Sequence, residues 1–214
     1  MIRIAVIDYD MGNLHSACKG LEKAGAETIV SDRVEDWKTA DGIVLPGVGA
    51  FDPAMQHLKT KNLVSPIHEI VATGKPFLGI CVGLQVLFDG SEEGQESGLG
   101  VIPGMVRRFK PEPGITIPHM GWNQLTLTQP DMPLWQHIHT GDWVYFVHSY
   151  YPDPLDSTMT TATVTHGQQT VSAAVAHKNV MAVQFHPEKS STIGMQMLSN
   201  FVAVIQQEAT VLSR

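Results

Sequence analysis

One short segment of the chain is built for covalent chemistry. Gly79-Ile80-Cys81-Val82-Gly83 places a thiol between two glycines. It falls where the apolar run Phe77 to Ile80 meets Val82 to Phe88, whose spacing predicts a helix. In such a strand-turn-helix the glycines let the backbone double back and leave the central side chain protruding. The positive end of the following helix favours a thiolate there, and the Val82 amide can donate to an oxyanion. A small buried core cysteine produces the same short pattern, and the residues alone weigh the two readings evenly. Gln85 lies four residues after Cys81, on the same helical face. An amide among Val82, Leu84, Val86 and Leu87 is costly unless paired, so it is either satisfied in the core or aimed at a polar substrate.

A thiol nucleophile needs a base, and the base needs an orienting group. The chain has ten histidines, so proximity of one to a cysteine carries little weight. Phe185-His186-Pro187-Glu188 is different. Pro187 bars a helix interior, so His186 and Glu188 are expected in extended chain at i and i+2, on one side, after the apolar strand Val180 to Phe185. A surface His-Glu pair capping a loop remains the alternative. Leu45-Pro46-Gly47-Val48-Gly49-Ala50-Phe51 also follows a strand. It lacks the third glycine of a dinucleotide loop, and its flexible amides suit a second oxyanion donor; a plain turn is the alternative.

Other segments carry less. His137-Ile138-His139 has no acid or cysteine cluster beside it, so no metal is expected. No Gly-x-x-x-x-Gly-Lys-Ser/Thr loop is present. In His148-Ser149-Tyr150 the first two side chains would face opposite ways on a strand, so they are not a catalytic pair. Cys18 fits the apolar stripe of the first helix.

Several elements must position these groups. Ile2 to Tyr9 and Ile43-Val44-Leu45 read as buried strands. Asn13 reads as the cap of a helix carrying Leu14, Ala17, Cys18, Leu21 and Ala24. Helical patterns follow at Pro53–Leu58 and Pro66–Thr73. Strand character dominates Val106–Phe109, Trp143–Val147, Met159–Thr165, Val171–Ala176 and Val180–Phe185, and an amphipathic helix through Met195, Leu198, Phe201, Val202 and Ile205 closes the chain. The stretch 89–142, rich in glycine and proline, is expected to form loops over one sheet edge. Alternating strands and helices predict an α/β fold: an open, mixed but mostly parallel sheet with helices on both faces, in a single domain over 1–214.

Composition bounds the function. The chain has 214 residues, 43% hydrophobic and 16% charged, a globular balance. Its net charge is 14 − 21 = −7 with no basic run, so no nucleic-acid partner is expected. The N-terminal apolar run is too short for a secretory signal, and Phe77 to Phe88 is too short to span a bilayer. Two unpaired cysteines make a reducing cytoplasm the expected compartment.

Taken together, Pro46-Gly47-Val48-Gly49, Gly79 to Gln85 and His186-Pro187-Glu188 resemble, in order and spacing over nearly the whole chain, the signature of the triad-type (class I) glutamine amidotransferases. Asp8 to Leu14 and Pro118-His119-Met120-Gly121-Trp122-Asn123 resemble the branch that serves histidine biosynthesis. Asp10 departs from the family, which more often has glycine there. The resemblance implies that Cys81 attacks the side-chain amide of L-glutamine, that His186 moves the proton, and that Glu188 orients His186. It implies an oxyanion hole from Gly47, Val48, Gly49 and Val82, and glutamine contacts from Gly49, Gln85, His148, Ser149 and Tyr150. It implies no cofactor. It also implies a (β/α)₈ cyclase partner in a heterodimer, fed with ammonia to form imidazole glycerol phosphate, with Asn13, Trp122, Tyr145 and Lys189 near the interface. The chain has no second active-site signature, so the ammonia acceptor is expected on another chain. The Gly47-Val48-Gly49 backbone is expected to flip on activation, since glycine flanks ease a peptide rotation. Competing readings are an amidotransferase of another pathway, a cysteine hydrolase of related fold, and an inactive scaffold.

Overall fold

The computed structural model describes residues 1–212. Strand β1 (Arg3–Ile7) leads to helix α1 (Leu14–Lys23), whose cap Asn13 accepts a hydrogen bond from the Ser16 amide at 3.3 Å. Ala17, Cys18 and Leu21 form the buried stripe of α1. Next come β2 (Glu27–Ser31), α2 (Val34–Thr39), β3 (Gly42–Gly47), α3 (Phe51–Thr60) and α4 (Val64–Ala72). Pro53 and Pro66 stand in the first turns of α3 and α4, where an amide has no intrahelical partner to lose. Strand β4 (Phe77–Cys81) runs directly into α5 (Val82–Gln85). The sequence pattern does not mark β2 or α2. β2 is an edge strand, and its half-exposed face carries no continuous apolar run.

The second half holds β5 (Gly90–Ser91), β6 (Gly104–Arg108), β7 (His119–Gln124), β8 (Thr126–Leu127), β9 (Trp143–His148) and β10 (Tyr150–Pro154). It continues with β11 (Thr160–His166), β12 (Gln169–His177), β13 (Val180–Val183) and the closing helix α6 (Ser191–Leu212). The stretch 89–142 is not the run of loops that its glycine and proline content predicts. β7 pairs antiparallel with β9 along its whole length, from His119↔His148 to Gln124↔Trp143. The inward positions of β7 are His119, Gly121 and Asn123, so no apolar alternation announces the strand.

The main sheet has the order β2-β1-β3-β4-β13-β12-β11-β8. The first five strands are parallel neighbours, and the last three pair antiparallel. One cluster of buried apolar side chains extends from Ile4 to Ile205 and joins both halves. The register decides where the chemistry falls. Gly47 of β3 sits opposite Cys81, and Val183 of β13 sits opposite Ile80. Three segments far apart in the chain therefore leave the sheet together at its carboxyl edge, where open α/β sheets bind ligands.

Candidate active site

The β4–α5 turn carries Cys81, the candidate nucleophile, in a strained pose. Cys81 has φ 55° and ψ −112°, in the half of backbone space that L-residues rarely enter. The sequence reading assigns the bend to the flanking glycines, yet Cys81 itself takes the positive φ. The glycines serve close approach. A Cβ on Gly83 would lie 1.9 Å from the Leu45 carbonyl oxygen, and one on Gly47 would lie 2.5 Å from both the Gly83 amide nitrogen and the Tyr9 hydroxyl. The β3 end and the nucleophile turn can touch only without those side chains.

Helix α5 is one turn long, not the helix through Phe88 that the spacing predicts. The amides of Leu99, Gly100 and Val101 bond the Val86, Phe88 and Leu87 carbonyls at 2.8, 3.0 and 2.8 Å and draw that backbone out of the helix. A single turn has little macrodipole. The cation opposite the sulfur must come from His186. Gln85 does not reach past Cys81 into the cavity as a free amide. Its Nε2 donates to the Tyr150 carbonyl at 3.2 Å and to Gln184 Oε1 at 3.0 Å.

His186 and Glu188 also differ from expectation in backbone. Pro187–Lys189 forms a 3₁₀ turn with proline at its first position, rather than extended chain. The pair survives because a tight turn also brings i and i+2 side chains together: His186 Nδ1 and Glu188 Oε1 are 2.8 Å apart, and both side chains are nearly buried. The other ring nitrogen is left for the sulfur. Burial opposes a charge on His186, but hydrogen bonds and charge from Cys81 and Glu188 outweigh it and lift its pKa to about 9. Ser190 and β9 hold the turn. The His186 amide donates to the Tyr145 carbonyl at 3.0 Å, and Ser190 Oγ donates to the His186 carbonyl at 2.6 Å while accepting from the Tyr145 amide at 2.9 Å.

Above Cys81 lies a cavity of about 410 Å³. Val48, Gly49 and Val82 wall it on one side, and Gln85, His148, Ser149 and Tyr150 on the other, with His186 beside the sulfur. Of the expected oxyanion group, Gly47 alone stands behind the wall, against Gly83 and Tyr9. Gly49 has φ +95°, and Val48 is 38% exposed. Three residues escape the sequence reading. Gln184 is fully buried and points Nε2 at Cys81 Sγ, 3.7 Å away. An amide in the apolar run Val180 to Phe185 is its signal. Glu93 lines the cavity, and its Oε2 accepts the Phe51 amide at 2.8 Å; nothing in its acidic surroundings marks it. Tyr9 lies buried with no partner for its hydroxyl, and burial, then the neighbouring Cys81, push its pKa up.

The expected interface residues divide. Trp122 and Tyr145 meet edge-to-face with ring centroids 6.0 Å apart. Trp122 joins Met120 and Trp143 in an apolar patch, exposed by 48, 62 and 52%. Asn13 serves the α1 cap, and Lys189 stands exposed at the cavity rim. Asp10 has φ 64°, which accounts for the glycine usual at that position. Its carboxylate reaches Lys61 at 3.0 Å. Among the described residues no helix is long and apolar enough to cross a membrane.

Residues 5–205 match the family model "Glutamine amidotransferase class-I". The chain is 70% identical over 203 residues to the imidazole glycerol phosphate synthase subunit HisH of Acaryochloris marina, covering 95% of each chain. It is 66% identical over 211 residues to the protein of the same name from a Cyanothece species, covering 99% of this chain and 100% of that one. Among solved structures, a putative GMP synthase protein from Thermoplasma acidophilum superposes with a TM-score of 0.75 at 18% identity, over 100% of this chain and 98% of that one. PurLQS from Thermotoga maritima gives 0.71 at 21% identity, over 97 and 99%. These two likenesses concern the fold alone.

Proposed function

The chain belongs to the class I glutamine amidotransferase family, and on that footing we propose that it is the glutaminase component of imidazole glycerol phosphate synthase, with Cys81, His186 and Glu188 as its catalytic triad. It acts in histidine biosynthesis and hydrolyses L-glutamine to glutamate and ammonia. The observation that carries the site assignment is the juxtaposition of Cys81 and His186 at one cavity, with the Glu188 carboxylate behind the imidazole at 2.8 Å.

The geometry supports the following sequence. Glutamine enters with its side-chain amide over Cys81 and its α-ammonium toward Glu93, the carboxylate on the cavity wall. The sulfur attacks the amide carbon as the thiolate, its proton resting on His186. The amide of Val82 and one from the Gly47-Val48-Gly49 segment stabilise the oxyanion, the latter after its peptide turns. His186 passes its proton to the departing ammonia, leaving a thioester. It then takes a proton from water, which attacks the thioester carbon. Collapse releases glutamate, and the sulfur leaves as thiolate against a recharged imidazolium. Glu188 holds the ring and balances the imidazolium. The ammonia passes to a (β/α)₈ cyclase partner, and the exposed Met120, Trp122 and Trp143 patch is the surface whose chemistry suits that partner.

Ammonia release from glutamine, measured with and without the cyclase chain, tests the reading. The complex is expected to release ammonia, and the C81A complex is expected to release none. Equal activity of the isolated chain and the loaded complex would remove the peptide-switch part. Release by C81A would remove the triad.

A further inference from the structure

Behind the Tyr150 wall, three imidazoles are packed together beneath β7 and β9. His119 Nδ1 is 3.0 Å from His148 Nε2, and His148 Nδ1 is 2.8 Å from the Tyr150 carbonyl oxygen. Asn123 Nδ2 is 3.1 Å from His119 Nε2 and 2.9 Å from the Thr165 carbonyl oxygen. The third ring, His166, stacks on His119 at 4.2 Å and points Nε2 to the Thr116 carbonyl at 2.8 Å. None of these bonds belongs to the triad.

Two main-chain carbonyls settle the direction of every bond in this row. A carbonyl only accepts, so His148 must carry its proton on Nδ1 and leave Nε2 bare. His119 must then donate from Nδ1, which leaves its Nε2 bare for Asn123. The Asn123 amide nitrogen is assigned by the Thr165 carbonyl it also meets. From Tyr150 the row continues to the nucleophile: the same carbonyl accepts Gln85 Nε2, Gln85 donates on to Gln184 Oε1, and Gln184 Nε2 faces Cys81 Sγ. Both imidazoles are nearly buried. Burial holds His148 down to about 3 and His119 to about 4, so each is neutral at pH 7 with one donor and one acceptor.

We propose that His119 and His148, locked as neutral Nδ1–H tautomers, are positioning residues that fix the Tyr150 carbonyl and through it the Gln85 and Gln184 amides that shape the glutamine pocket beside Cys81. The proposal rests on the glutaminase reading. His119 touches no reacting atom. It acts by leaving His148 a single choice of tautomer. A His148 protonated on Nε2 instead would turn a bare nitrogen to the Tyr150 carbonyl, two acceptors facing one another, and the pocket wall would move.

The test uses the full chain with its cyclase partner and two substitutions. H119F keeps an aromatic ring between Phe146 and His166 but removes both hydrogen bonds. H119N keeps a donor where Nδ1 stands. H119F is expected to raise KM for glutamine about tenfold, the effect of one buried hydrogen bond, with kcat within about twofold. H119N is expected to return KM to within about threefold of the wild type. Two-bond ¹H–¹⁵N spectra of the wild-type rings at pH 7 are expected to show His119 and His148 protonated on Nδ1 alone. A proton on His148 Nε2 overturns the proposal, with or without folded variants. So does an H119F complex with unchanged KM, or a kcat loss that H119N does not repair. A wild-type complex that releases no ammonia instead overturns the glutaminase reading, an outcome distinct from any change in the spectra or in the ratio of KM values.

Discussion

The two walls of the cavity around Cys81 are held by different physics. The wall built from β3, β4 and α5 is backbone against backbone. Cys81 is forced to φ 55°, and Gly83 stands where any Cβ would overlap the Leu45 carbonyl. The wall built around the β7–β9 ribbon, β10, the Gln85 side chain and the end of β13 is held by side-chain hydrogen bonds, two of which, from His148 and Gln85, end on the Tyr150 carbonyl. Its members are His119, His148, Gln85 and Gln184, each bond having a required direction. Steric walls fail at the first added atom. Hydrogen-bonded walls tolerate a swap that preserves donor and acceptor, and fail when a proton moves. A change therefore registers in folding on one side, and in substrate affinity and pH response on the other.

The most severe challenge to this contrast is G83A. A methyl group 1.9 Å from backbone oxygen must push β3 from α5, so a loss of more than about 3 kcal/mol, or failure to fold, is expected in urea titrations. A G83A chain with an unchanged midpoint would mean the steric wall is soft. Next in size is E188Q, at the junction of the walls. The neutral amide cannot balance the imidazolium, and kcat should fall about 10³–10⁴-fold with little change in KM for glutamine. Activity within tenfold of the wild type would show that Glu188 only fills space.

The pH dependence of stability separates the walls by sign. His119 and His148 have folded pKa values of about 4 and about 3, below the ordinary imidazole value. In acid the unfolded chain binds those protons first, so their contribution is complete above about pH 6.5 and is lost as pH falls. By pH 5 the loss is about 2 kcal/mol for His148, and His119 adds a loss of the same sign, because both folded values lie below that pH. The titratable groups facing them are His166 for both rings and, for His148, also His119 and His186. His186 runs the other way. Its folded pKa is raised to about 9, so its contribution is complete below about pH 6.5 and fades as pH rises to 9. Urea titrations across pH 5 to 9 should therefore peak near neutrality, with the acid limb flattened in H119F. A stability flat from pH 7 to 5 would remove the neutral-imidazole wall. The smallest effect is expected at Tyr9, whose buried hydroxyl has no partner. Y9F should leave stability unchanged or raise it by up to about 1 kcal/mol. A loss larger than that would show the hydroxyl is bonded in solution.

How much of this is legible in the sequence follows the same division. The proposed nucleophile, base and orienting acid are readable only as a set: a thiol between glycines after a strand, and an imidazole and carboxylate around a proline, each have an inert reading when taken singly, and it is their order and spacing together that mark them out. The parallel half of the sheet is readable because buried strands such as Ile43-Val44-Leu45 need continuous apolar runs. The β7–β9 ribbon is not, because its inner face is imidazole and amide, satisfied by partners that local pattern does not record. Gln184 is open to the same argument that exposes Gln85, an amide in an apolar run.

The chain alone carries the residue types, their order and the strand-turn context, which make Cys81 a candidate nucleophile; that its target is an amide comes from the resemblance to the family. Folding settles everything that depends on register and direction. Parallel pairing of β4 with β3 and β13 brings Cys81, the Gly47 segment and His186 to one edge, although 105 positions separate the thiol from the imidazole in the numbering. It places the backbone strain on Cys81, cuts α5 to one turn, and sets which nitrogen of each buried histidine carries the proton. The physical reason is range. A residue's chemistry is a local property carried by its identity, whereas a contact distance or the direction of a hydrogen bond belongs to two groups that only the folded chain makes neighbours.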